Sequence, residues 1–227
     1  MNPYRTLRSV IRVERFETDP VERRLRRAAS VADLRRIAKR RLPGGVFDYI
    51  DGAAEDERTL AANEAAYAST SFRPRVLRGV AKVDARSTVL GRPVDYPLVL
   101  APTGFTRIAD PQGELAVARA AERAGLPYTL STLSTRSIEE VRAVSDGRLW
   151  FQVYAWRDRA LVKEMIDRAA AARFEALVLT VDTIVQGRRE RDVRRGFSLP
   201  PTIGPPHTER SHSTSAHDSD GSNCVLM

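Results

Sequence analysis

Between residues 96 and 181, short apolar runs alternate with helical patterns, and few folds accept that order. Residues 96–102, 127–130, 149–153 and 176–181 read as strands, because each is short, apolar and bounded by Pro, Gly or polar residues. Helical patterns over 114–124 (closed by Gly125), 137–144 (capped by Ser137) and 158–172 separate them. A strand recurring every ~25 residues with a helix between predicts βα units around a buried parallel sheet. Polar residues stand where each strand would end: Thr103, Ser131, Gln152, Tyr154, Thr180 and Asp182. In a β/α barrel, those ends form the active-site face. One such residue would pass for a turn or a cap. Six over four successive strand ends point to a site.

The preceding stretch has a different character. Ser30 is placed to cap a helix whose face carries Val31, Leu34, Ile37 and Ala38. Pro43-Gly44-Gly45 is expected to break it. A second helix over 46–51 carries Phe47, Tyr49 and Ile50, and a third is expected over 55–68. Residues 86–90 and 93–95, joined by Gly91-Arg92, read as a small hairpin.

Charge divides the chain. Lys and Arg number 37 against 29 Asp and Glu, a net charge of +8. Residues 1–41 hold 13 of the basic residues and 5 of the acids, so the remainder is balanced. Residues 1–29 are expected to form a solvated, partly helical arm, with Leu7, Val10, Ile11 and Val13 as a short apolar stripe. The alternative is a contact with an anionic surface. No series of aromatics runs among the arginines, so no nucleic acid is expected. The first residues lack an apolar secretory core, and no run of ~18 apolar residues exists. These features predict a cytoplasmic location; the alternative for the arm is a peripheral contact at the inner membrane face. Arg outnumbers Lys 34 to 3, as in a GC-rich bacterial coding sequence.

After Gly204 the composition turns to Ser, His, Thr, Asp and Pro without apolar period, and residues 205–227 are expected to be a disordered tail. All three histidines, His207, His212 and His217, lie there. Their five-residue step does not stack side chains on one helix face, so no metal site is expected. The lone Cys224 allows no internal disulfide. The chain thus divides into an arm (1–29), an α/β domain (30–204) and the tail.

The motifs of residues 30–204 resemble the FMN-dependent α-hydroxy-acid dehydrogenases and oxidases, which include flavin L-lactate dehydrogenase, glycolate oxidase and mandelate dehydrogenase. The resemblance is carried by Phe47-Asp48-Tyr49-Ile50-Asp51-Gly52-Ala53-Ala54-Glu55-Asp56-Glu57, Phe72-Arg73-Pro74-Arg75, Leu100-Ala101-Pro102-Thr103-Gly104 and Pro111-Gln112-Gly113-Glu114. It continues through Thr129-Leu130-Ser131-Thr132, Phe151-Gln152-Val153-Tyr154, Leu179-Thr180-Val181-Asp182 and Gly187-Arg188-Arg189-Glu190-Arg191-Asp192. Each is weak alone; together, in this order, they are specific.

The resemblance implies a (β/α)8 TIM barrel, of which this chain holds about the first four βα units after N-terminal helices and a hairpin. It implies FMN as cofactor and a small, L-lactate-like 2-hydroxy acid as substrate. It implies that Ala101, Pro102 and Thr103 lie against the flavin, and that Ser131, Gln152 and Thr180 hydrogen-bond its polar edge. By the same resemblance Tyr49, Tyr154 and Arg189 hold the substrate, Tyr154 with a catalytic role. The family's relatives are expected to form homo-oligomers, and the electron acceptor stays open.

Some family parts have no match. A Ser-x-His-Gly-Gly-Arg segment with the catalytic histidine, a flavin-facing lysine and the phosphate-binding segments are not found. A full barrel takes ~250 residues, so an N-terminal half without activity of its own is expected. Two alternatives stay open: a non-catalytic remnant or split-barrel half, and an Arg-rich protein that binds anionic surfaces.

Overall fold

The computed structural model describes residues 18–182, 185, 187–200 and 202–206. The apolar stripe of the arm and the histidines and cysteine of the tail lie outside them.

Among the described residues four helices come first: α1 (Pro20–Arg26), α2 (Val31–Arg41), α3 (Gly44–Asp51) and α4 (Arg58–Ser69). Ser30 caps α2 as the sequence predicts, with Asp33 closing a reciprocal capping box. Two boundaries differ from expectation. Helix α2 does end before Pro43, as expected, but Gly44 and Gly45 already form the first turn of α3, which was expected to start at residue 46. A Cβ on Gly45 would come within 2.8 Å of the Phe197 ring, so the bare backbone is what lets a later segment pack there. The helix expected from residue 55 starts at Arg58, because Glu55 and Glu57 take left-handed backbone angles (φ 48° and 59°) that no helix includes.

Strands β1 (Ser87–Val89) and β2 (Arg92–Val94) form the expected antiparallel hairpin. The α/β region follows: α5 (Glu114–Arg123), β3 (Tyr128–Leu130), α6 (Ile138–Ala143), β4 (Leu149–Tyr154), α7 (Arg159–Ala171) and β5 (Ala176–Thr180). Strands β3, β4 and β5 lie side by side and parallel. The strand expected over 96–102 is reduced to one parallel bridge, Leu100 with Tyr128. Pro97 and Pro102 cannot donate to a ladder, so pairing is left to Leu100, which donates to Pro127 O (2.9 Å) and accepts from Thr129 N (3.0 Å). The result is a partial (β/α)8 fold: four strand positions in parallel order, without closure into a barrel.

Period-two alternation assigns the faces. Tyr128, Leu130, Leu149, Phe151 and Val153 pack with Ala118, Ile138, Val141, Val162 and Met165 from α5, α6 and α7. Trp150, Gln152 and Tyr154 therefore point to the opposite face, the inside of the incipient barrel. In the β4–β5 register Phe151 and Val153 stand beside Leu177 and Leu179. These two continue the helix-facing side where no helix among the described residues covers it, and are 50% and 58% exposed.

A last helix, α8 (Glu190–Arg195), packs on α3. The arginine run that supplies it is not simply solvated. Arg191 pairs with Asp51 (3.0 Å) and Glu57, and Arg195 with Asp48. Together with Arg35 from α2, Arg191 lowers the Asp51 carboxyl, the Arg35 hydrogen bond being the largest cause.

Candidate active site

A cleft of about 410 Å³ opens at the C-terminal ends of the parallel strands. Tyr49, Pro102, Ser131, Gln152, Tyr154 and Thr180 line it, together with Gly104, Phe105, Leu133 and Asp182. Residues from α3 and from four successive strand ends thus meet in one place.

At its base a side-chain relay crosses three adjacent strands. Gln152 is 1% exposed. Its Oε1 accepts from the Thr132 backbone N–H (3.0 Å) and from Ser131 Oγ (3.3 Å). A backbone N–H can only donate, so the orientation of the amide is fixed and its NH2 faces the other way. Nε2 donates to Thr180 Oγ1 at 2.8 Å. Thr180 Oγ1, which lines the cleft, keeps its own hydrogen, and the amide keeps a second N–H. Ser131 Oγ also accepts from Leu133 N (3.0 Å), which fixes the loop after β3. The cleft floor is therefore a short row of neutral donors held in place by buried partners.

Tyr49 reaches the cleft from α3. Its ring lies 5.5 Å from that of Phe197 and under the Arg189 guanidinium, 5.0 Å from its centroid. Burial pushes the Tyr49 hydroxyl up, against the opposing pull of Arg189, so the group stays protonated at neutral pH. Arg189 does not line the cleft. It braces Tyr49 from behind: Nη2 donates to the carbonyls of Tyr49 and Gly52 (the latter at 3.1 Å), and Nε to Asp192 (2.8 Å). Ala101 and Thr103 flank Pro102 but are not among the lining residues; the Thr103 carbonyl accepts from Thr106 Oγ1 at 3.4 Å.

Three contributors escaped the sequence reading. Phe105 and Leu133 line the cleft, and Phe105 N donates to Leu133 O at 2.9 Å, which clamps the loops after the first strand position and β3. Gly104 permits this approach, since a Cβ there would sit 3.0 Å from Leu133 Cβ. Phe105 has φ 55°, a conformation no residue pattern announces. The third is Glu114, wholly buried at the start of α5. Its carboxylate accepts from Thr135 N (2.8 Å), Thr135 Oγ1 (2.7 Å) and Thr106 N (3.3 Å), and so ties the same two loops together from beneath. Its position within Pro111-Gln112-Gly113-Glu114 was the available signal.

A parallel α/β fold with a polar cleft at the carboxyl ends of its strands is the layout of a β/α-barrel enzyme site. The family model for FMN-dependent dehydrogenases matches residues 38–222, and the chain belongs to that family. It is 48% identical over 200 residues to a putative L-lactate dehydrogenase of Mycobacterium tuberculosis (88% of this chain, 48% of the relative). It is 45% identical over 174 residues to glycolate oxidase 5 of Oryza sativa subsp. japonica (77% and 47%). Among solved structures, mandelate oxidase with 3,3-difluoro-2-hydroxy-3-phenylpropionic acid superposes with a TM-score of 0.75 at 44% identity, over 78% of this chain and 54% of that one. An active mutant of (S)-mandelate dehydrogenase does so with a TM-score of 0.76 at 40% identity, over 79% and 50%. The family and these relatives are FMN-dependent 2-hydroxy-acid dehydrogenases and oxidases. The chain spans about half the length of the curated relatives it matches.

Proposed function

We propose that the cleft is the flavin-edge and substrate-carboxylate part of an FMN-dependent 2-hydroxy-acid dehydrogenase site, acting on L-lactate or a close analogue. The observation that carries this is the Ser131–Gln152–Thr180 relay, which leaves the second Gln152 N–H and the Thr180 hydroxyl as neutral donors beside one cleft, with Ser131 fixing the amide. Such a row suits the polar edge of FMN, whose ring presents acceptors and gains no fixed charge from these partners. When bound, FMN supplies a two-electron acceptor for the hydride leaving the substrate Cα.

The rest is the chain's own chemistry. Gln152 and Thr180 would hold the ring edge, with Ser131 orienting the Gln152 amide, and the backbone of Ala101, Pro102 and Thr103 would face the ring. Tyr154 and Tyr49, the latter kept protonated by burial, donate to the substrate carboxylate and hydroxyl. Arg189 acts through Tyr49, whose backbone and ring it holds in place behind the cleft. The L-lactate assignment is supported by the 48% identity to the mycobacterial relative.

Residues 1–206 contain no histidine, so this stretch offers no imidazole to take the hydroxyl proton. By itself it is expected to bind FMN weakly and to lack turnover. FMN fluorescence quenching by the purified chain should show saturable binding, weakened about tenfold in Gln152→Leu. Equal affinity of the two proteins, or no quenching by either, refutes the flavin-edge reading. Bleaching of bound flavin by anaerobic L-lactate refutes the inactivity of this stretch.

A further inference from the structure

Residues 20–41, which make up α1, α2 and their link, carry nine Arg and Lys against two acids, Glu22 and Asp33. From residue 42 onward the chain is electrically balanced. The excess is therefore concentrated on one pair of short helices, and neither helix buries any of its residues.

Apolar side chains stand exposed among these cations. Val31, at the start of α2, is 81% exposed, and Leu25 and Leu34 are 42% and 45% exposed. Val31 and Leu34 continue the stripe whose other end, Ile37 and Ala38, is partly buried. The stripe thus runs off the protein rather than ending at its edge. Arg23, Arg24, Arg26 and Arg27 occupy the last turn and cap of α1, shortly before Val31, and Lys39, Arg40 and Arg41 stand in the last turn of α2. Arg35 and Arg36 are held by Asp51 and Asp33. Among the described residues no helix is long and apolar enough to cross a membrane.

We propose that α1 and α2 form a docking surface for an anionic lipid bilayer, with the arginines at the phosphate level and Leu25, Val31 and Leu34 entering the headgroup boundary. Charge complementarity supplies the attraction, and the neutrality of the rest of the chain orients it. The exposed aliphatic residues favour a bilayer over a nucleic acid, because a phosphate backbone gives them nowhere to go. The proposal is independent of flavin binding and is tested without flavin.

The test is cosedimentation of the full chain with vesicles of phosphatidylcholine alone or with about 30 mol % phosphatidylglycerol, at about 0.05 and 0.5 M NaCl. Binding is expected only to the anionic vesicles, and to fall with salt. Replacing Arg23, Arg24, Arg26 and Arg27 together by Gln should weaken it about a hundredfold or more, at about fivefold per charge. Val31→Asp should weaken it about tenfold, while Val31→Leu binds as well as the parent. Arg24, Arg26, Arg27 and Val31 are exposed and Arg23 is half-buried, and unchanged far-UV circular dichroism checks the fold of each variant. Equal binding to neutral vesicles, or indifference of anionic-vesicle binding to Val31→Asp, overturns the proposal. So does duplex DNA binding that matches vesicle binding at the same salt and ignores Val31→Asp.

Discussion

Removing the Glu114 carboxylate should loosen the cleft more than any other single change beneath it. The side chain is wholly buried and serves three donors: Thr135 N, Thr135 Oγ1 and Thr106 N. In Glu114→Ala the two backbone N–H groups lose their acceptor in places water does not easily reach. An unsatisfied buried donor costs about 1–3 kcal/mol, with the longer Thr106 contact at the lower end and the Thr135 hydroxyl free to turn elsewhere. A negative charge at the first turn of α5 is also lost, worth about 0.3–1 kcal/mol. The expected loss is about 3–5 kcal/mol, a large share of the 5–15 kcal/mol typical of a domain. Glu114→Gln keeps an acceptor for both backbone N–H groups and turns its NH2 toward the Thr135 hydroxyl, which can accept, so only the charge is lost and about 0.3–1 kcal/mol is expected. Urea unfolding followed by far-UV circular dichroism should order the midpoints as parent, Gln variant, Ala variant. An Ala variant within about 0.5 kcal/mol of the parent, at unchanged m value, would refute the view of Glu114 as the tie between the loops.

Three further outcomes follow from other parts of the structure. The Arg168 guanidinium, bonded to Glu139 through two nitrogens at 2.8 Å each, lowers that carboxyl from 4.5 to about 2. A depressed carboxyl contributes stability above its unfolded value and loses it as pH falls toward 2, so Glu139→Gln should be less stable than the parent near neutral pH and equal to it at the acid end. Half the Glu139 side chain is exposed, so the gap should be only about 0.5 kcal/mol, and a gap that persists in acid argues against the pairing. The uncovered Leu177 and Leu179 should drive concentration-dependent association. Sedimentation velocity of the doubly substituted Leu177→Ser, Leu179→Ser chain should show less of it, and an unchanged distribution would place the association elsewhere. Tyr49→Phe keeps the ring on Phe197 and Arg189, so its thermal midpoint should match the parent within about 2 °C; a larger drop would mean that the hydroxyl is structural.

Much of this architecture was legible because its signals are local. The capping boxes at Ser30 and Ser137 need only residues three apart, and both appear where the sequence places them. The strands β3, β4 and β5 are short apolar runs whose neighbours are turn formers. The polar residues at their ends are conspicuous against those runs, and five of the six meet in the cleft. What failed locally also has local causes. Two prolines thinned the first strand to a bridge, and left-handed Glu55 and Glu57 delayed a helix. Helix α8 was not foreseen, because the acids that hold its arginines, on α3 and at Glu57, lie far away in the sequence.

By itself the sequence determined the order of elements, the family through its motifs, and the concentration of charge in the first forty-one residues. Each follows from residue types at short spacing. Only the tertiary structure decided that Gln152 is a relay with a fixed amide orientation, since the Thr132 N–H that orients it and the Thr180 hydroxyl that it meets come from different strand ends. It also decided that Arg189 stands behind Tyr49 rather than in the cleft, and that Glu114 joins two loops. These roles depend on which distant groups share a buried space, and on the cost of leaving any one of them without a partner.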